Sequence, residues 1–324
     1  MARETMRRPA GLHLLLIFTR PRQWPILTCQ LAVGALSSAM AARALGHGLG
    51  PTGSLGWVRL ITAWLAWVVG LNGGTLAFNS AYDRDTGRIA YLPHPPVPPR
   101  WLARASLGQM LAGAALAWWT EPGFGLITTT CVGLSILYSH PAVRWKGVAG
   151  LDLAVNMIGY GAGTTLAGLV VGQAVFQDGA AASINLDAAG WLLALAFALL
   201  FGSFYPLTQL YQVEPDRRRG DRTLAGALGR RRSLVLALIL GGLATDAFWA
   251  AAERWRPEMG AGRAVPALLT VALLLWLAHL AWWVMRSDRL DPAAQERGMY
   301  RALALWAVID LTLLAQRYGV GWIG

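Results

Sequence analysis

The chain has 324 residues, of which 55% are hydrophobic and 14% charged, with a mean hydropathy of +0.43. A soluble domain carries about 25% charged residues, so composition excludes an ordinary soluble globule. The formal net charge of +11 invites a nucleic-acid reading. The positions of the cations exclude it, because they flank apolar runs and form no basic arm.

Apolar runs fall near 24–45, 57–80, 101–119, 123–139, 149–172, 188–211, 232–252, 264–285 and 299–317. About 20 apolar residues span a bilayer core, and in lipid each segment must satisfy its own backbone, which makes these runs helices. None alternates as a barrel strand would. The fold class is therefore all-α and polytopic, with about nine transmembrane helices, or eight if the short fourth run is re-entrant. No linker divides the chain, so residues 1–324 read as one domain. Residues 1–23 form a cytoplasmic or interfacial leader. Its apolar core, Leu12 to Phe18, is followed by Thr-Arg-Pro-Arg and not by the small residues of a cleavage site.

Arginines precede the first run (Arg3, Arg7, Arg8, Arg20, Arg22) and follow the second, fourth, sixth and eighth (among them Arg84, Arg100, Arg144, Arg217 and Arg286). In a nine-helix chain all of these share one face, and the opposite loops hold chiefly Arg59, Arg254, Arg256 and Arg263. The positive-inside rule then puts the N-terminus in the cytoplasm of an inner membrane, with the cations against anionic lipid headgroups. Tryptophans near run ends (Trp24, Trp57, Trp101, Trp118, Trp119) suit an interfacial belt. Cys29 and Cys131 lie within runs and suggest neither a disulfide framework nor a metal site.

Two cytoplasmic loops are long and acidic. The first reads Asn79-Ser-Ala-Tyr-Asp83-Arg-Asp85-Thr-Gly87. Asn79 and Asp83 share a helical face, which Asn72 continues into the membrane. The proline-rich stretch from Pro93 to Pro99 is expected to end that helix. The second loop carries Tyr205, Gln209, Gln212 and Asp216 at i, i+4, i+7 and i+11, and then Arg217, Gly220, Asp221 and Arg222. Carboxylates facing one another at one mouth of a bundle suit Mg²⁺, which prefers carboxylate oxygens and is often completed by substrate phosphates. Arg84, Arg144, Lys146, Arg217 and Arg222 are the cations available to a departing diphosphate. The plain alternative for each loop is a solvated, charged membrane-protein surface.

The pair of loops resembles the two aspartate-rich motifs of the UbiA superfamily of membrane prenyltransferases. Asn79 and Asp83 match the first motif, with Gly87 at its last position and Asp85 beside it. Asp216, Arg217, Gly220, Thr223 and Leu224 match the second, with Gln212 where its first Asp is expected and Glu214 and Asp221 as possible substitutes. Leu137-Tyr138-Ser139 through Arg144-Trp-Lys146 looks like the family's connecting segment, and Arg20-Pro-Arg-Gln-Trp24 like its approach to the first span. The resemblance runs from about residue 20 to 230. It implies a bundle with a cytoplasmic polar cap and transfer of a prenyl group from a prenyl diphosphate to a lipophilic acceptor, aromatic or tetrapyrrole. It further implies Asn79, Asp83, Asp85, Glu214, Asp216 and Asp221 around Mg²⁺. Asp83, Asp216, Lys146 and Tyr138 are then the catalytic set.

In the fifth run, Asp152, Asn156, Tyr160 and Thr164 recur every four residues. This stripe is read as a lining of the acceptor pocket, against helix-to-helix hydrogen bonding as the other possibility. Asp310 is an intramembrane acid whose place in sequence suggests a structural pairing. The rival functions are a terpene cyclase on the same fold, a non-catalytic isoprenoid or pigment binder, and a transporter.

Overall fold

The computed structural model describes residues 11–44, 51, 53–84, 89–92, 94–176, 186–259 and 264–318. A short helix α1 (Gly11–Phe18) leads into α2 (Trp24–Ala44), followed by α3 (Gly53–Asp83), α4 (Leu102–Thr120), α5 (Pro122–Ser139), α6 (Leu151–Phe176) and α7 (Ala188–Gln209). Two short helices, α8 (Val213–Arg218) and α9 (Leu224–Leu228), precede α10 (Arg230–Met259), α11 (Ala264–Arg286) and α12 (Pro292–Tyr318). Among the described residues the long helices fall on the nine predicted runs. Seven of them (α3, α5, α6, α7, α10, α11 and α12) are long and apolar enough to cross a membrane. The fourth run is a full 18-residue helix.

Local chemistry sets the helix ends. Glu121 opens α5 by accepting the Phe124 N–H at 2.5 Å, with Pro122 in the first turn. Asp187 opens α7 by accepting the Gly190 N–H at 2.7 Å. The end of α3 departs from expectation: it stops at Asp83, where Arg84 takes a left-handed conformation (φ 49°), well before the prolines. A left-handed residue terminates a helix by itself, so the prolines serve the loop and not the stop.

The apolar core has two large parts and a small third one of Phe18, Ala77 and Leu102. Of the large parts, one gathers side chains of α2 to α6, including Trp67, Phe124 and Val171; the other gathers α7 and α10 to α12, including Phe197, Phe248, Trp276 and Trp283. The innermost helices are α6 and α7, where 61% and 67% of the apolar window is buried against 33–39% in the other candidate spans. The outer helices expose leucines and valines such as Leu243, Leu268 and Leu274, as lipid-facing surfaces do.

Helices α2 and α6 pack closely because small residues face each other. A Cβ at Gly34 would lie 2.6 Å from the Thr165 carbonyl oxygen and 3.0 Å from the Gly168 Cα. Membrane helices gain their association from such contact. Gly34→Leu is expected to destabilise the protein by about 1–3 kcal/mol through overpacking; a melt in detergent that matches wild type would refute this packing.

Both α3 and α6 contain a π-helical turn, at Leu65–Gly73 and Met157–Gly163. Such turns re-aim side chains and often mark functional sites. Here they carry Asn72 and Tyr160.

Candidate active site

A cavity of about 260 Å³ opens between the two large parts of the core. At its polar end stand Asn79 and Asp83 from the last turn of α3, Lys146 from the connection after α5, and Asp216, Arg219 and Asp221 from the segment after α7. Toward its other end lie Asn72, Trp67, Cys131, Asn156, Tyr160, Phe201, Phe204 and Trp306. The polar end also receives Arg20 and Gln23 from the turn before α2.

Three carboxylates and three cations form one alternating chain at the mouth. Lys146 Nζ bonds Asp83 Oδ1 and, at 2.6 Å, Asn79 Oδ1. Arg144 reaches Asp83 at 3.5 Å and grips both oxygens of Asp221, at 2.7 and 2.9 Å. Arg219 pairs with Asp216 and lies 3.5 Å from Asp221. The Asp221 hydrogen bond pushes Arg144 up from its usual value, whereas burial pushes the Lys146 ammonium down against the opposing pull of Asp83. The carboxylates are thus brought together as ion pairs, and among the described residues no three acidic, His or Cys groups converge as a preformed metal cage.

The donor set nonetheless fits Mg²⁺. Asp83, Asp216, Asp221 and Asn79 supply hard oxygens around one opening, and Mg²⁺ usually takes only one or two carboxylates, its remaining positions going to water and substrate phosphate. Basic groups within reach of the same opening suit a diphosphate.

The structure sorts the predicted residues. Asn72, Asn79, Asp83, Lys146, Tyr138, Asn156, Tyr160, Tyr205, Gln209, Gln212, Asp216 and Asp221 all line the cavity, and Arg144 joins through its ion pairs. Four others do not come to it. Glu214, expected as a metal ligand, is exposed and bonds Arg218 at 3.1 Å. Arg217 and Arg84 are exposed, and Arg222 gives its backbone N–H to the Gly147 carbonyl with its side chain in solvent. Asp85 and Gly87 lie outside the described residues.

The second motif is also not one continuous helix. Gln209 ends α7, a turn intervenes, and Asp216 sits in α8. Tyr205, Gln209, Gln212 and Asp216 nonetheless all line the cavity. Arg20 and Arg219 also line the mouth, and neither is among the cations that the sequence analysis offered to a departing diphosphate. For Arg219 a signal existed, since it lies three residues after Asp216 and so on the same helical face.

The α6 stripe divides. Asn156, Tyr160 and Thr164 line the cavity, but Asp152 is fully buried in a network. Its Oδ1 accepts from the Gly150 and Leu153 N–H groups and its Oδ2 from Gln209 Nε2 and the Leu224 N–H, all at 2.7–2.8 Å. Gln209 Oε1 accepts the Ala225 N–H, its Nε2 reaches the Tyr205 hydroxyl, and that hydroxyl meets Tyr138 at 2.8 Å. Asp152 therefore ties α6, α7 and α9 together under the cap.

The site is thus an ion-paired polar mouth above an aromatic-lined interior, set within a bundle of apolar helices. The sequence matches the UbiA prenyltransferase family over residues 35–307, and the chain belongs to that family. Solved structures agree in fold. A UbiA homologue from Archaeoglobus fulgidus bound to DMAPP and Mg²⁺ aligns with a TM-score of 0.59 at 18% identity, covering 96% of this chain and 99% of that one. A digeranylgeranylglyceryl phosphate synthase aligns with 0.65 at 14%, covering 95% and 99%. The apo structure of a UbiA homologue from Aeropyrum pernix K1 aligns with 0.61 at 18%, covering 89% and 97%. No curated protein matches the sequence.

Proposed function

We propose that this protein is a Mg²⁺-dependent prenyltransferase that moves a prenyl group from a prenyl diphosphate to a lipophilic, aromatic or tetrapyrrole, acceptor inside the membrane. The observation that carries this reading is the continuity of the cavity. It runs from Asp83, Lys146 and Asp216 at a charged mouth to Tyr160, Phe201 and Trp306 in an apolar interior. The A. fulgidus homologue, which holds DMAPP and Mg²⁺, supports the same assignment.

Asp83, Asp216, Asp221 and Asn79 would hold the metal. When bound, Mg²⁺ neutralises diphosphate oxygens and stabilises the charge that develops on the leaving group. Lys146, Arg144, Arg219 and Arg20 bind and orient those oxygens by charge-assisted hydrogen bonds. Tyr138 and Tyr205, joined hydroxyl to hydroxyl, brace the cap from below. Tyr160 stacks on Phe201 at 5.3 Å, and Phe201 and Phe204 each meet Trp306 edge-on at 5.6 Å. These faces surround the prenyl chain, exclude water and offer π-density to an allylic cation. The charge asymmetry of the loops supports a mouth on the cytoplasmic side of an inner membrane.

The test is incubation of purified protein with geranylgeranyl diphosphate, Mg²⁺ and a crude lipid extract, followed by mass spectrometry. The expected product is an extract component heavier by one prenyl group. A cyclised hydrocarbon would transfer the reading to a terpene cyclase, and undiminished diphosphate to a non-catalytic binder.

A further inference from the structure

Asn72 stands in the π-helical turn of α3, is 3% exposed and lines the cavity. Neither its Nδ2 nor its Oδ1 has a hydrogen-bond partner. Neighbouring polar groups of the lining do have partners: Thr75 and Ser135 hydroxyls lie 2.8 Å apart, Ser135 donates to the Cys131 carbonyl, and Asn156 Nδ2 donates to the Asp152 carbonyl. A buried primary amide left unpaired is costly, and a chain lined here by Trp67, Leu71 and Leu76 would lose nothing by placing a leucine at this position. The unpaired amide points to a ligand.

Its depth and chemistry say which one. Seven residues separate Asn72 from Asn79, about 10 Å along a helix, so Asn72 lies well below the charged mouth and out of reach of a diphosphate held there. A prenyl chain has no polar atom to offer. The second substrate does. A carboxamide presents a donor and an acceptor side by side, and the group that fills both is one that also donates and accepts. A ketone or ether oxygen would leave Oδ1 unpaired. An ionised carboxylate would do the same and would bring a charge to an apolar depth.

We propose that Asn72 is the acceptor-recognition residue: its Nδ2 donates to, and its Oδ1 accepts from, a neutral hydroxyl group on the lipophilic acceptor. This rests on the prenyl-transfer reading for the identity of the ligand as acceptor, though not for the existence of the subsite. In the resulting division the prenyl chain follows the aromatic side chains of α7 and α12, and the acceptor follows the polar wall of α3 and α5. Asn72 then selects hydroxyl-bearing acceptors over their ethers and ketones.

The test measures binding by calorimetry to the full chain in detergent, using para-hexylphenol, its methyl ether, and geranyl diphosphate with Mg²⁺ as probes. Wild type is expected to prefer the phenol over the ether by about tenfold, the usual worth of a buried hydrogen-bonding group. Asn72→Leu is expected to lose that preference while binding the ether and geranyl diphosphate as wild type does. Asn72→Ser, which keeps one hydroxyl and removes volume, is expected to fall between them, and it carries the test if the leucine variant fails to fold. Equal affinity of wild type for phenol and ether, or the full wild-type preference retained in either variant, would overturn the proposal and make Asn72 a hydrated structural residue. Failure of wild type to bind geranyl diphosphate would instead strike the prenyl-transfer reading, and the phenol comparison would still decide whether the subsite exists.

Discussion

Asp83→Asn and Asp216→Asn are each expected to lower kcat/KM for pyrophosphate release from a prenyl diphosphate by about 10²–10³, the loss typical of removing one group that stabilises developing charge. Both carboxylates line the mouth and both are engaged by cations, Asp83 by Lys146 and Arg144, Asp216 by Arg219. Asparagine keeps the size of each side chain and an acceptor oxygen for the cation. It removes the negative charge that Mg²⁺ requires. The loss is expected to be partly recovered by raised Mg²⁺, since the defect is in metal affinity. Release at the wild-type rate in either variant would remove that carboxylate from the site. Glu214→Gln, which alters an exposed side chain paired with Arg218 in the second motif, is expected to behave as wild type.

The second large effect is structural. Asp152→Ala is expected to destabilise the protein by about 3–5 kcal/mol, because it leaves buried donors without their acceptor. Those donors are the N–H groups of Gly150, Leu153 and Leu224 and the amide of Gln209. The damage will concentrate where Leu224 and Ala225 are anchored, so the segment carrying Arg217, Arg218 and Arg219 should become open to trypsin. Asp152→Asn keeps one acceptor oxygen but turns an N–H₂ group toward other donors, and an intermediate loss is expected. A melt and a trypsin pattern unchanged from wild type would show that the network does not hold the cap.

These two residues also show what the sequence could and could not convey. Asp83 was legible because a helix periodicity continuing from Asn72 through Asn79 leads straight to it, and the structure keeps all three on one cavity wall. The long helices were legible for the same reason: twenty apolar residues in a row permit little else. Asp152 was read with Asn156 and Tyr160 as a cavity-lining group because all three share a helical face. Its place in the first turn of α6 turns its carboxylate back onto nearby N–H groups, as acidic side chains at helix N-termini do. Its other oxygen then takes partners 57 and 72 residues away, a pairing that no local pattern encodes.

The same limit governed the cations. Arg84 and Arg217 are adjacent in sequence to acidic motif residues, which made them natural candidates, but neighbours on a helix point in different directions. Arg144 and Lys146, more than 60 residues from Asp83, are the ones that reach it. The π-turns were illegible as well, since an extra residue in a helical turn leaves an apolar run looking apolar.

The most direct test of the account is release of pyrophosphate from geranyl diphosphate by the purified wild-type chain, supplied with the lipid extract, in Mg²⁺ and again in EDTA. The account predicts release in Mg²⁺ that stops when EDTA is added and resumes when Mg²⁺ is restored. Release indifferent to EDTA, or none in Mg²⁺ from folded protein that binds the substrate, would contradict it.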